Sequence, residues 1–125
     1  MISLTLKFYI SINILYIDLN KKIREGIKLI SLKLHYEPPF SMLTKKLNEL
    51  IKFDRALKLV ELIEYLQEIY GEKFQELVWD KKKKDKLHKM LSIIINGRSY
   101  RFEGYLQQIL KDGDDISFIY IFFGG

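Results

Sequence analysis

Apolar and polar residues alternate along the first part of the chain. From Ile2 to Ile14 every second residue is apolar. A period of two is that of a β-strand, so this stretch predicts a half-buried strand, with a break or bulge near Ile14–Tyr16 because thirteen residues is long for one strand. The alternation returns over Ile27–Tyr36 with a change of phase at Leu29–Ile30, which predicts a second strand, antiparallel to the first. Pro38-Pro39 ends it, because proline cannot donate a hydrogen bond to a ladder.

Helical spacing predominates in the middle of the chain. After Ser41, a candidate N-cap, the residues Leu43, Leu47, Leu50 and Ile51 fall on one side of a helix. We interpret residues 37–53 as a helical insertion, which either covers a sheet edge or forms a partner surface. The main helix is predicted over Asp54–Tyr70, with Asp54 as N-cap and Gly71 at its end. A short helical turn is expected over 74–79.

Strand and turn signals return in the last 35 residues. Leu91 and Ile93–Ile95 form an apolar run that ends in Asn96-Gly97, a strong hairpin signal. Asp112-Gly113 is a second turn dipeptide, and an aromatic and β-branched run follows it. The pattern predicts strand, turn, short strand, turn and strand. A content of 48% apolar and 30% charged residues is ordinary for a globular protein. Together with the periodicity, it favours a single α+β domain.

The sequence closes with Gly124-Gly125. Glycine costs more entropy to order than other residues and has no side chain to bury. On the glycines alone, a frayed end is the simpler interpretation. The other interpretation is a thin tail whose carboxylate enters a slot too narrow for any Cβ.

The residues upstream favour the second interpretation. Asn96-Gly97-Arg98, the Leu110–Asp114 turn of pattern L-x-D-G-D, a last strand and Gly124-Gly125 together resemble the C-terminal half of the ubiquitin-like sulfur carriers. These are the small subunit of molybdopterin synthase and related proteins, including the small archaeal modifiers. The resemblance extends back to about Leu57. Where that family carries prolines and small residues before the glycines, this chain has residues 120–123, Tyr-Ile-Phe-Phe.

The resemblance implies a fold. We expect a ubiquitin-like β-grasp, in which a mixed sheet packs on one main helix, with the helical insertion at about 37–53 added to it. One domain is expected over residues 1–125, with a flexible tail at about 122–125.

The resemblance also implies a function. An E1-like enzyme would use ATP to adenylate the Gly125 carboxylate, and sulfur would then replace AMP to give a thiocarboxylate that donates sulfur in molybdopterin biosynthesis. The large subunit of molybdopterin synthase would be the second partner, and the chain itself would bind no cofactor. Gly124 would let the backbone lie close to the partner's wall. Phe122 and Phe123 would either anchor the tail in the partner's channel or pack back onto their own sheet. The last four residues, extended, reach roughly 14 Å.

Two other functions use the same residues. The activated carboxylate of Gly125 could instead be joined to lysines of target proteins, as in a ubiquitin-like modifier. Alternatively, the chain is a protein-interaction module with an inert tail, in which case deleting Gly124-Gly125 would leave its activity intact.

Several kinds of chemistry find no support in the sequence. The chain has no cysteine, which excludes disulfides, thiolate metal sites and a cysteine nucleophile. His35 and His88 lack metal-ligand spacing, so no metal site is predicted. The run Lys81–Lys84 predicts a solvated loop. Nucleic acid is not favoured as a partner, because no aromatic residues for base stacking are interleaved with these lysines. No signal peptide or membrane span is recognised, and we expect a cytoplasmic protein. We find no paired general acid and base, so an intrinsic catalytic site is not expected.

Overall fold

A five-stranded mixed sheet is the framework of the structure, a computed structural model that describes residues 26, 29–99 and 104–121. The elements in chain order are β1 (Ile30–Tyr36), α1 (Phe40–Thr44), β2 (Asn48–Phe53), β3 (Leu57–Lys58), α2 (Leu59–Tyr70), α3 (Glu72–Val78), β4 (Leu91–Ile95), β5 (Arg98–Ser99), a 3₁₀ turn (Tyr105–Gln107), β6 (Ile109–Leu110) and β7 (Asp115–Tyr120).

The strand order of the main sheet is β2-β1-β7-β4-β5. β1 and β7 are parallel, and the other neighbours are antiparallel. β3 and β6 form a separate two-stranded ladder. The α+β class predicted from the sequence is confirmed.

The predicted strand over Ile2–Ile14 lies outside the described residues. Its predicted antiparallel pairing with the second strand also falls on residues 2–14; in the described part of the chain, β1 pairs with β2 on one side and with β7 on the other. The phase predicted for the second strand is confirmed, since Leu32, Leu34 and Tyr36 are all buried.

Helix α2 supplies the largest helical part of the core. It buries five side chains against the sheet (Leu59, Leu62, Ile63, Tyr65 and Leu66), which confirms the predicted main helix. It begins at Leu59, so Asp54 is not its N-cap. The carboxylate of Glu61 accepts the backbone N–H of Lys58 at 2.9 Å, which satisfies one of the free donors at the helix start. Gly71 ends the helix with φ of 85°, as predicted.

Of the predicted helical insertion over residues 37–53, only α1 (Phe40–Thr44) is helical. Asn48–Phe53 form an edge strand of the main sheet, in which Ile51 and Phe53 point inward. Leu47 and Leu50, assigned to an apolar helix side, are 67% and 58% exposed. The spacing of these leucines fits a helix, but the backbone hydrogen bonds of β2 go to β1. None of the helices in the described ranges is long and apolar enough to cross a membrane.

One carboxylate lies on the inner side of β2. Glu49 Oε1 accepts hydrogen bonds from the hydroxyls of Tyr36 and Tyr70, each at 2.8 Å, and Oε2 accepts one from Lys46 Nζ at 2.9 Å. Burial alone would raise the pKa of Glu49, but these three hydrogen bonds outweigh it and hold the pKa below its ordinary value. The network joins β1, β2 and α2 at one point.

This network makes the stability of the protein depend on pH. The folded-state pKa of Glu49 lies below 4.5, its ordinary value, so the carboxylate stabilises the fold above pH 4.5. That contribution is lost as the pH falls through the folded-state pKa. We expect Glu49→Gln to lower the free energy of unfolding by roughly 1–3 kcal/mol at pH 7, and by less at pH 3. Urea unfolding at both pH values measures this, and an equal loss at both would contradict it.

Candidate functional site at the end of the last strand

The residues that the sequence assigns to the site, Phe122, Phe123, Gly124 and Gly125, lie outside the described residues. The structure does describe the strand that leads to them. β7 lies between β1 and β4 in the sheet, and Tyr120 is its last residue. We call Tyr120 and Ile121, the last described residues before 122–125, the exit. The surroundings of these two residues are the part of the site that the structure describes.

Two strands border the exit. β1 runs parallel to β7, so its end at Tyr36 lies beside Phe118. β4 runs antiparallel to β7, so its first residue, Leu91, is paired with Tyr120. One position further, the N–H of Ile121 donates to the carbonyl of Met90 at 2.7 Å. Ile121 is 45% exposed, so the described chain comes to the surface as the ladder ends.

Tyr120 is fixed from three directions. Its ring meets Phe40 of α1 edge-on at 5.4 Å between centroids, and the ring of His88 stacks on it at 5.1 Å. Its hydroxyl donates to the carbonyl of Leu77 in α3. Burial raises the pKa of Tyr120 to about 12, so the hydroxyl stays protonated and can donate near neutral pH. The exit is thus a rigid base for whatever follows.

The turn motifs of the sequence lie at the opposite end of β7. Asn96 and Gly97 have φ of 51° and 82°, as a two-residue hairpin turn requires. The Asn96 side chain accepts the N–H of Asp115 and donates to the carboxylate of Asp114, both at 2.9 Å. Asp112 accepts the N–H of Ser31 at 2.8 Å, and Gly113 donates to the carbonyl of the same residue at 2.8 Å. The motif residues therefore fix the start of β7 to β1 and β4.

The two histidines have separate roles. His35 bridges the side chains of Asn48 and Asp115 on the outer side of the sheet. His88 stacks on Tyr120 and accepts the N–H of Met90 at 3.1 Å. Within residues 26, 29–99 and 104–121, no three histidine, aspartate or glutamate side chains are grouped so that they could hold a metal ion.

Comparison with known families decides the relationship that the motifs indicate. The model of the ThiS family matches residues 41–125, well over half of the chain. The chain belongs to the ThiS family. This confirms the resemblance to the ubiquitin-like sulfur carriers and extends it, since the match begins sixteen residues before Leu57 and includes β2. No curated protein sequence matches the chain.

Several solved structures share the fold of this chain. The small archaeal modifier protein SAMP1 from Methanosarcina acetivorans superimposes with a TM-score of 0.62 at 19% identity, covering 78% of this chain and 99% of that one. A putative molybdopterin converting factor subunit 1 from Pyrococcus furiosus gives 0.55 at 24%, with 74% and 99% covered. A chain of the Amycolatopsis orientalis BexX/CysO complex gives 0.57 at 21%, with 75% and 99% covered. These similarities confirm the predicted ubiquitin-like β-grasp.

Sequence reasoning missed the residues that hold the exit of this ThiS-family chain. Tyr120 and Leu77 are 43 positions apart, and no local pattern links them. The sequence predicts only an ordinary residue beside a loop for His88, because its stacking on Tyr120 depends on the pairing of β4 with β7.

Proposed function

We propose that this protein is a sulfur carrier of molybdenum- or tungsten-cofactor biosynthesis. An E1-like enzyme adenylates the Gly125 carboxylate, sulfur replaces AMP, and the thiocarboxylate donates its sulfur to the molybdopterin precursor. ATP belongs to the activating enzyme, and the chain itself binds no cofactor.

The exit is the observation that carries this proposal. The chain reaches the surface at Ile121 from a central strand that is hydrogen-bonded on both sides and fixed through Tyr120. A fixed base at the surface suits a tail that enters a partner while the domain stays outside. Membership of the ThiS family supports the same use of the tail.

The chemistry follows from the reactivity of a carboxyl group. An anionic carboxylate is a poor electrophile, so it must be activated. An oxygen of the Gly125 carboxylate attacks the α-phosphorus of ATP, and pyrophosphate leaves. Hydrosulfide, or a sulfur donor at the same oxidation level, then attacks the acyl carbon, AMP leaves, and one proton is released. The product is a thiocarboxylate, whose sulfur atom is a far better nucleophile than a carboxylate oxygen.

The remaining tail residues differ in size and have different roles in this proposal. Gly124 lets the backbone pass a narrow channel, and Phe122 and Phe123 contact the partner at the mouth of that channel. The partners are an E1-like adenylating enzyme and the large subunit of a molybdopterin synthase, in the cytoplasm. The BexX/CysO complex is a case in which a chain of this fold is solved together with a second protein.

The experiment that tests the proposal is a mass measurement of the intact protein. The full chain is incubated with the E1-like enzyme of the same organism, ATP and sulfide, and its mass is compared with that of a sample without ATP. We expect the mass change of one oxygen replaced by sulfur, and only in the sample with ATP.

Two other results would contradict the proposal. Isopeptide-linked Gly-Gly remnants on lysines of other proteins, without any thiocarboxylate, would assign the chain to protein modification instead. An unchanged mass together with no ATP-dependent pyrophosphate release would indicate an inert tail.

A further inference from the structure

The positive charge of the protein is concentrated in one short segment. Residues 81–89 contain six lysines and one aspartate, a net charge of +5, which equals the net charge of the whole 125-residue chain. The other 116 residues are therefore neutral overall. Residues 81–86 are all exposed, and Lys81–Lys84 and Lys86 form no ion pair within the part of the chain that the structure describes. We call residues 81–89 the basic segment.

The basic segment is held in place at both ends. The N–H of Asp80 donates to the carbonyl of Lys86 at 2.9 Å, and the N–H of His88 donates to the carbonyl of Val78 at 2.7 Å. Asp80 Oδ1 accepts the N–H groups of Lys82 and Lys83 at 2.8 and 2.9 Å. These two N–H groups, from Lys83 first and then Lys82, lower the pKa of Asp80. Adjacent lysines repel one another, yet the backbone keeps them on one closed loop.

The segment adjoins the exit. His88, within the segment, stacks on Tyr120, and Met90, directly after it, accepts the N–H of Ile121. Four extended tail residues reach only roughly 14 Å. When the Gly125 carboxylate is inside an active site, the surface of that partner must therefore lie close to the exit edge, which the basic segment adjoins through His88 and Met90.

A partner surface that lies close to a net charge of +5 must be acidic, since otherwise like-charge repulsion and desolvation would weaken the binding. We propose that the basic segment docks against an acidic protein surface on the enzyme that activates the tail. The inference rests on the function proposed above, and it adds the surface by which the two proteins meet and the charge of the partner at that surface.

Nucleic acid is the other polyanion that a lysine cluster could bind. The aromatic residue nearest in sequence to the lysines, Trp79, is not exposed for base stacking, since it is half-buried and its indole N–H donates to Gln67. Binding of single-stranded nucleic acid combines a basic groove with exposed aromatic rings. The position beside the exit favours a protein surface.

The test uses two variants of the full chain with the same change in charge. In the first, Lys81, Lys82, Lys83 and Lys84 are each replaced by Gln. In the matched control, four exposed lysines away from the exit are replaced by Gln (Lys33, Lys52, Lys58 and Lys111). ATP–pyrophosphate exchange by the E1-like enzyme of the same organism gives kcat and KM for each chain, at low and high salt.

We expect the first variant to raise KM for the chain roughly tenfold or more at low salt, with kcat unchanged, because surface charge acts mainly on encounter. The control should stay near wild type, and the gap should close at high salt as screening increases. Equal KM values for the two variants would overturn the inference while leaving the proposed function intact. A wild-type chain that supports no exchange would instead refute the proposed function. If transfer RNA binds the wild type and not the first variant, while KM is unchanged, the segment is a nucleic-acid site and the inference is wrong.

Discussion

Deletion of Gly124 and Gly125 will abolish ATP–pyrophosphate exchange with the activating enzyme. The proposed reaction takes place at the Gly125 carboxyl group, and without the two glycines the new terminal carboxylate stops about 7 Å short of the adenylation site. A misplacement of about 1 Å already costs roughly a hundredfold in rate, so we expect no exchange above background. Steady-state exchange at saturating ATP measures this.

The control for this deletion is the fold itself. The buried hydrophobic residues of the described chain all lie between Leu32 and Phe118, so the melting temperature of the deletion variant should match that of the wild type. Gly124→Val keeps the carboxylate and adds a side chain, and we expect it to be nearly as inactive as the deletion. Full exchange by the deletion variant would show that the tail is inert.

Phe118→Ala will cost the largest share of stability of any single change that we propose. Phe118 lies on β7 with no exposed surface, and its ring contacts those of Tyr36, Phe40 and Phe74 at 5.6–5.9 Å between centroids. Removing it leaves a cavity between the sheet and two helices, so we expect a loss of about 3–5 kcal/mol in the free energy of unfolding. Urea unfolding at pH 7 measures the loss.

Leu50→Ala is the matched control for Phe118→Ala. Leu50 is also an apolar side chain on a strand of the main sheet, but it is 58% exposed, so its truncation should change stability by about 0.5 kcal/mol or less. Similar losses for the two variants would contradict the arrangement of the core. Because Phe118 is two residues before Tyr120, Phe118→Ala should also weaken exchange if the exit must be rigid.

The sequence was most informative where one physical requirement acts locally. Asn96-Gly97 and Gly113 need positive φ, and few other residues adopt it, so both turns are correctly predicted. The apolar spacing of α2 predicts its buried side because twelve consecutive residues repeat the pattern. The same reasoning identified the register of β1 from Leu32, Leu34 and Tyr36.

The errors lie where distant residues decide. Residues 43–51 fit a helical spacing, yet β2 forms because its N–H and carbonyl groups pair with β1. Asp54 is a good N-cap by type, but Leu57-Lys58 pairs with β6, more than fifty residues away, so the helix starts only at Leu59. From the sequence alone, a carboxylate at the inward-facing position of Glu49 is unfavourable. In the fold, the hydroxyls of Tyr36 and Tyr70 donate hydrogen bonds to it.

The candidate site divides in the same way. The terminal glycines and the turn motif are visible in the sequence, and the family match confirms the relationship that they indicate. The surroundings of the exit are not visible, because His88 and Met90 come to β7 only through the pairing of β4 with β7, and Leu77 meets Tyr120 from helix α3. The basic segment is visible as four adjacent lysines, but its position beside the exit follows only from the fold.

Fragmentation of the C-terminal peptide by tandem mass spectrometry tests the central claim most directly. The peptide is taken from the full chain after reaction with the activating enzyme, ATP and sulfide. The account predicts that sulfur replaces one oxygen on the terminal fragment that contains Gly125, and on no fragment that lacks it. Sulfur located on any other residue, or a C-terminal fragment of unchanged mass from protein that has turned over ATP, would contradict it.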